Sequence, residues 1–125
     1  MAKILVADDE PYLVALLQDI IEQIGHEVIA TMNGVEVLDL AIRKKPDLII
    51  LDIKFPDISG FNICSQLKQN KKTANIPILM CTVENMLSDV ETAFKLGASG
   101  YIIKPVKKEI LIQKIQGILT VEKTK

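Results

Sequence analysis

The chain has 125 residues, of which 49% are hydrophobic and 25% charged, the size of one domain with enough apolar content to build its own core. That composition excludes an intrinsically disordered chain. With 15 Lys and Arg against 16 Asp and Glu, the net charge of −1 argues against direct nucleic-acid binding by counterion release.

The first apolar run, Lys3-Ile4-Leu5-Val6-Ala7, meets Asp8-Asp9-Glu10 too soon for a signal peptide. A helical stripe follows, Leu13, Leu16, Leu17, Ile20 and Ile24, with Gly25 as its stop. His26 opens a second run, Glu27-Val28-Ile29-Ala30, away from the acidic residues, and reads as solvated or at the core edge. Asn33 can cap a second helix carrying Val35, Leu38, Ala41 and Ile42, closed by Pro46. Arg43-Lys44-Lys45 complements the dipole at its end. The third run, Leu48-Ile49-Ile50-Leu51, ends in Asp52, and a third helix is expected from about Phe61 to Gln69. The fourth run, Ile76-Pro77-Ile78-Leu79-Met80, leads into Cys81-Thr82, and a fourth helix spans roughly Leu87 to Leu96 before Gly97. The fifth, Gly100-Tyr101-Ile102-Ile103, leads into Lys104-Pro105 and a last helix carrying Leu111, Ile115, Ile118 and Leu119.

Most of these runs are continuous rather than alternating, as in strands covered on both faces of a parallel sheet. Five alternations of strand and helix specify an α/β doubly wound domain. A flavodoxin-like (βα)5 topology with strand order 2-1-3-4-5 is expected at this size. One domain fills residues 1–121, with 122–125 as a frayed tail. No apolar run nears the ~18 residues of a membrane span. Cys64 and Cys81 lack disulfide or metal spacing, so two buried thiols in a cytoplasmic chain are expected.

Sites in doubly wound folds lie beyond the carboxyl ends of the strands. Neighbouring first and third strands would bring Asp8, Asp9 and Asp52 together, with Thr82 and Lys104 approaching from the other side. Clustered carboxylates repel one another, and Mg²⁺ suits a few carboxylates together with phosphate oxygens. Asp52 is then a candidate nucleophile for an aspartyl phosphate, with Lys104 and Thr82 cradling the phosphoryl oxygens. Singly, each of these residues also fits a helix cap, a loop or a structural strand end; their joint placement at successive strand ends carries the reading.

Asp8-Asp9, the stretch Leu51-Asp52-Ile53-Lys54-Phe55-Pro56-Asp57-Ile58-Ser59-Gly60, Thr82, and Gly97-Ala98-Ser99-Gly100-Tyr101-Ile102-Ile103-Lys104-Pro105 resemble the receiver domain of two-component response regulators, of the chemotaxis-type single-domain kind, from end to end. The resemblance implies that Asp52 is the phosphoacceptor, charged by a sensor histidine kinase or phosphotransfer protein. It implies that Asp9 binds Mg²⁺ directly, Asp8 mostly through water, and the Lys54 backbone carbonyl as a further ligand. Thr82 and Lys104 would contact the phosphoryl group, Thr82 and Tyr101 would act as the switch, and the Lys104–Pro105 bond would be cis. Tyr101 also fits an ordinary half-buried strand aromatic. Lys54 and Glu84 would flank the phosphoryl group and tune dephosphorylation, pairing across the site mouth. Phe55 stands where the family more often has Met, and Val83 is larger than the usual residue after the Thr.

On the last helix Ile110 projects away from the apolar arc, beside Lys107 and Lys108. An exposed Ile there could dock a partner or a second copy of the chain, and the resemblance implies that a face made of helix 4, strand 5 and helix 5 meets the downstream protein target. The chain is expected to act by interaction, and so not as an enzyme. A phosphatase resembling haloacid dehalogenases would want Asp where Lys54 stands. A flavin-binding module would find Asp8-Asp9-Glu10 repelling the FMN phosphate.

Overall fold

Each apolar run forms a strand, and each helical stripe a helix. In the computed structural model, which describes residues 1–123, the strands are β1 (Lys3–Ala7), β2 (Glu27–Thr31), β3 (Leu48–Leu51), β4 (Ile78–Thr82) and β5 (Gly100–Ile103). They alternate with the helices α1 (Pro11–Gln23), α2 (Val37–Lys44), α3 (Gly60–Gln69), α4 (Leu87–Lys95) and α5 (Lys108–Lys123). The strands form one sheet in the order β2-β1-β3-β4-β5, and every pair is parallel.

Side chains alternate across a strand, so the continuous apolar runs feed two cores. Leu5, Ala7, Ile49, Leu51 and Met80 point toward Val37 and Ala41 of α2, Ile63 and Leu67 of α3, and Ala93 of α4. Ile4, Val6, Ile50, Leu79 and Ile102 point toward Leu13, Leu17 and Ile21 of α1 and Leu111 and Ile115 of α5.

Several local boundaries differ from the sequence expectation, each for a physical reason. β4 begins at Ile78 rather than Ile76, because Pro77 has no amide to donate to the ladder, and it runs on to Thr82. Asn33 does cap, its side chain accepting from the Val35 amide at 3.1 Å. What it caps is a single 3₁₀ turn, Gly34–Glu36, ahead of α2, and this leaves Val35 exposed. On α1 the buried stripe is Leu13, Val14, Leu17, Ile20 and Ile21. Leu16 lies about 100° around the helix from the centre of that stripe and sits at its rim. Gly25 ends α1 with a φ of +92°, the left-handed conformation that glycine adopts without strain. His26 sits at the core edge, its Nδ1 accepting from the Ala2 amide at 3.0 Å. Lys68 is more than a polar helix end, since its Nζ donates to the carbonyls of Ala74 and Ile76 at 3.1 and 2.7 Å. α5 continues through Lys123, past the boundary expected at 121; positions 124 and 125 of the expected frayed tail lie outside the described residues. Both cysteines are buried. Among the described residues no helix is long and apolar enough to cross a membrane.

Candidate functional site

The parallel register delivers the acidic residues to one place. Ala7, the last residue of β1, lies opposite both Leu51 of β3 and Thr31 of β2. The next residues out, Asp8 and Asp52, therefore leave the sheet side by side. Their amides extend the ladder: Asp52 N–H donates to the Ala7 carbonyl at 3.0 Å and Asp8 N–H to the Thr31 carbonyl at 3.2 Å. On β4, the strand next to β3, Thr82 pairs with Ile103 of β5, and the Lys104 amide donates to the Thr82 carbonyl at 2.8 Å. Asp8, Asp52 and Thr82 are all buried.

Lys104 reaches across the sheet end to join the carboxylates. Its Nζ lies 2.9 Å from Asp8 Oδ2, 3.0 Å from Asp52 Oδ2 and 3.0 Å from Glu10 Oε1. Burial alone would pull the Lys104 ammonium down, but its hydrogen bonds to Asp8, Asp52 and Glu10 outweigh that and hold it above the ordinary lysine range. Asp8 is shifted upward, chiefly by burial. Its bonds from Lys104 and from the Glu10 amide, the latter at 3.0 Å, lower it by less than burial raises it. The Lys104–Pro105 peptide is cis, as the resemblance implied.

Carboxylate oxygens of Asp8, Glu10 and Asp52 all lie within 4.8 Å of one another. The Lys104 ammonium offsets part of that like charge, and an all-oxygen set of this kind also fits Mg²⁺. Glu10 joins the two aspartates in this cluster, its carboxylate meeting Lys104, while Asp9 is exposed. The chain bends at Asp9, and the turn closed by the Glu10 amide on Asp8 Oδ1 brings Glu10 to the same side as Asp8.

Asp52 is further fixed by its own turn. The Lys54 amide donates to Asp52 Oδ1 at 3.2 Å, and Lys54 bridges to Ser59. Ser59 caps α3 by accepting from the Phe61 amide at 3.1 Å. Gly60 then lies so close beneath Asp52 that a Cβ there would collide with the Asp52 carbonyl and the Ile53 backbone. Gly60 stands in the Leu51–Gly60 stretch of the sequence, but this close approach leaves no mark there.

On the far side of the site the chain turns around Glu84. Its amide donates to Thr82 Oγ1 at 3.4 Å, and the Tyr101 hydroxyl donates to its carbonyl at 2.8 Å. Its carboxylate meets Lys54 Nζ at 2.8 Å, so the pair expected across the mouth is present. Tyr101 is half-buried, and burial pushes its phenol up to about 12. Val83 is exposed and Phe55 half-buried. Ile110 stands apart from this cluster. It is exposed on α5, in a shallow groove shared with Val90, Phe94, Tyr101, Ile103 and Pro105 and edged by Lys107 and Lys114.

Known proteins carry the same arrangement of elements. Residues 4–116 match the family model described as the response regulator receiver domain. Protein PilH of Pseudomonas aeruginosa is 34% identical over 95% of this chain and 98% of its own length. The alkaline phosphatase synthesis transcriptional regulatory protein PhoP of Bacillus subtilis is 40% identical over 94% of this chain, which spans 48% of that protein. The structure of chemotaxis protein CheY4 of Vibrio cholerae superposes with a TM-score of 0.89 at 29% identity, covering 94% of this chain and 98% of that one. The chain thus spans nearly all of some curated relatives and about half of others. These matches also correct one expectation. The flat statement that the chain is not an enzyme does not stand; the matches replace it with a narrower one, a signalling domain that is not an enzyme in the usual sense.

Proposed function

Since the chain belongs to the response regulator receiver domain family of two-component systems, we propose that Asp52 is its phosphoacceptor and that a phosphohistidine on a sensor histidine kinase or phosphotransfer protein is the donor. A carboxylate oxygen of Asp52 attacks phosphorus as the P–N bond breaks, and the electron pair leaves with the imidazole nitrogen of the donor. The observation that carries this reading is the ammonium of Lys104, held at 3.0 Å from Asp52 and 2.9 Å from Asp8. It offers a positive partner to the attacking carboxylate and to the oxygens of the incoming group. Thr82, buried at the end of the neighbouring strand, supplies a hydroxyl donor to those oxygens.

Asp8, Asp9, Asp52 and the Lys54 backbone carbonyl would hold Mg²⁺, with the Glu10 carboxylate beside Asp8 and Asp52. Bound there, Mg²⁺ would neutralise charge on the phosphoryl oxygens. Lys54 and Glu84 would flank the phosphoryl group and tune its loss, and Thr82 and Tyr101 would carry the switch. The face made by α4, β5 and α5, with Ile110, would meet a downstream protein or a second copy of the chain. The receiver unit is residues 1–121, acting in the cytoplasm.

Intact-mass measurement with acetyl phosphate or phosphoramidate and Mg²⁺ tests this. A labile gain of one phosphoryl group is expected, lost in Asp52→Asn and with EDTA. Full labelling of Asp52→Asn would refute Asp52 as the acceptor.

A further inference from the structure

Glu84, the second residue beyond β4, is held at three points of unequal quality. The bond from its amide to Thr82 Oγ1 is long, at 3.4 Å. The bond to its carbonyl comes from the half-buried Tyr101, at 2.8 Å. Thr82 and Tyr101 belong to β4 and β5, which are paired with each other. Of the three contacts, only the 2.8 Å ion pair with Lys54 crosses to the turn that carries Asp52. The helix that follows adds little restraint, because Ala93 is its only buried residue. Lys54 is also placed among anions. Its hydrogen bond to Glu84 raises its ammonium above the usual range, and the charges of Asp52 and Asp89 add to this.

We propose that Lys54 is a positioning residue: its ion pair with Glu84 latches the loop between β4 and α4 to the turn bearing Asp52, setting Thr82 and Tyr101 before any phosphoryl group arrives. The significance of the latch for signalling rests on the phosphoacceptor reading above, but the latch itself does not. The Lys54 side chain is 63% exposed and that of Glu84 28%, so charge rather than packing holds it. Pairs this exposed bias an equilibrium by a few-fold and weaken with salt. The latch therefore sets a shallow preference, which a stronger local charge can override.

The test uses the unlabelled full chain without phosphodonor, read by amide hydrogen exchange at position 84 and by the ring resonances of Tyr101. In Lys54→Met and in Glu84→Gln, exchange at position 84 is expected to rise about two- to fivefold, with the Tyr101 ring shifting toward a solvated environment. Lys54→Arg should behave as the parent does. The reversed pair, Lys54→Glu with Glu84→Lys, should restore slow exchange. About 0.5 M NaCl should move the parent toward the single variants and leave those variants unchanged. Unchanged exchange and ring resonances in both single variants would overturn the latch, as would a reversed pair that behaves like either single change. Failure here leaves phosphoryl labelling of Asp52 untouched, and failure to label leaves the latch untouched.

Discussion

Two helices that adjoin the site, α1 and α4, are anchored very differently. α1 follows the Asp8–Glu10 loop and buries five of its 13 residues against the sheet. α4 follows the Thr82–Glu84 loop and buries only Ala93 of its nine, leaving Leu87 and Phe94 exposed, with Met86 exposed just before it. The carboxylates thus stand on a fixed wall, and the hydroxyl side of the site opens onto a lightly held one. Stability and responsiveness are assigned to different helices. A ligand at the site can bias the loosely held element without opening the core, because only a small burial term opposes its movement.

The contrast can be broken most directly at Leu17, which is fully buried on α1. Leu17→Ala is expected to lower unfolding stability by about 2–5 kcal/mol in urea titrations. A loss under about 1 kcal/mol would put α1 on the same footing as α4. The lightly held side is sharpened by Tyr101, whose phenol is pushed up to about 12 by burial, with the charges of Asp89 and Glu84 adding to it. Tyr12→Phe leaves Tyr101 as the sole tyrosine, so its ultraviolet titration should have its midpoint near 12. Because the folded value is raised, the contribution of Tyr101 to stability is complete below the ordinary value of 10 and is lost as pH climbs through about 12. An ordinary midpoint would mean that the ring is not held against the loop.

On the fixed wall, burial is the chief cause that raises the Asp8 carboxyl above the ordinary aspartate value of 3.8. Its stabilising share is therefore complete below 3.8 and is lost as pH rises through the folded value. Asp8→Asn in metal-free buffer should raise the urea midpoint at neutral pH, and the gain should shrink as pH falls toward 4. A lowered midpoint at neutral pH would show that the bond to Lys104 outweighs burial. The smallest effect is expected at Leu87 on α4, 74% exposed, where Leu87→Ala should change stability by no more than about 0.5 kcal/mol.

Much of this was legible in the sequence, because strand identity and strand-end chemistry leave strong local marks. Continuous apolar runs at Leu48–Leu51 and Lys3–Ala7 announced strands buried on both faces. The order 2-1-3-4-5 then placed Asp8, Asp52, Thr82 and Lys104 at one end of the sheet. The approach of Glu10 to Asp8 and Asp52 was harder to read, because it follows from a bend at Asp9 and from the reach of Lys104, and neither leaves a local mark in the sequence. The place of Gly60 depends on a close approach to Asp52 from eight positions earlier, which no periodicity encodes. The boundary errors at Ile76 and Val35 arose where apolar character continued past the hydrogen-bonded element. Pro77 and the 3₁₀ turn decided those ends, and hydrophobicity did not.

The burial of Cys64 and Cys81 has a practical side. Cys81 lies on β4 directly before Thr82, and burial pushes its thiol up to about 12; burial raises Cys64 as well. At neutral pH neither presents a thiolate to an alkylating dye while the domain is folded. A reporter introduced by Glu91→Cys on the exposed side of α4 should therefore take up a fluorophore alone, in an otherwise native background. The same two thiols become reactive only when the core opens, so their rate of alkylation is a built-in clock for global unfolding.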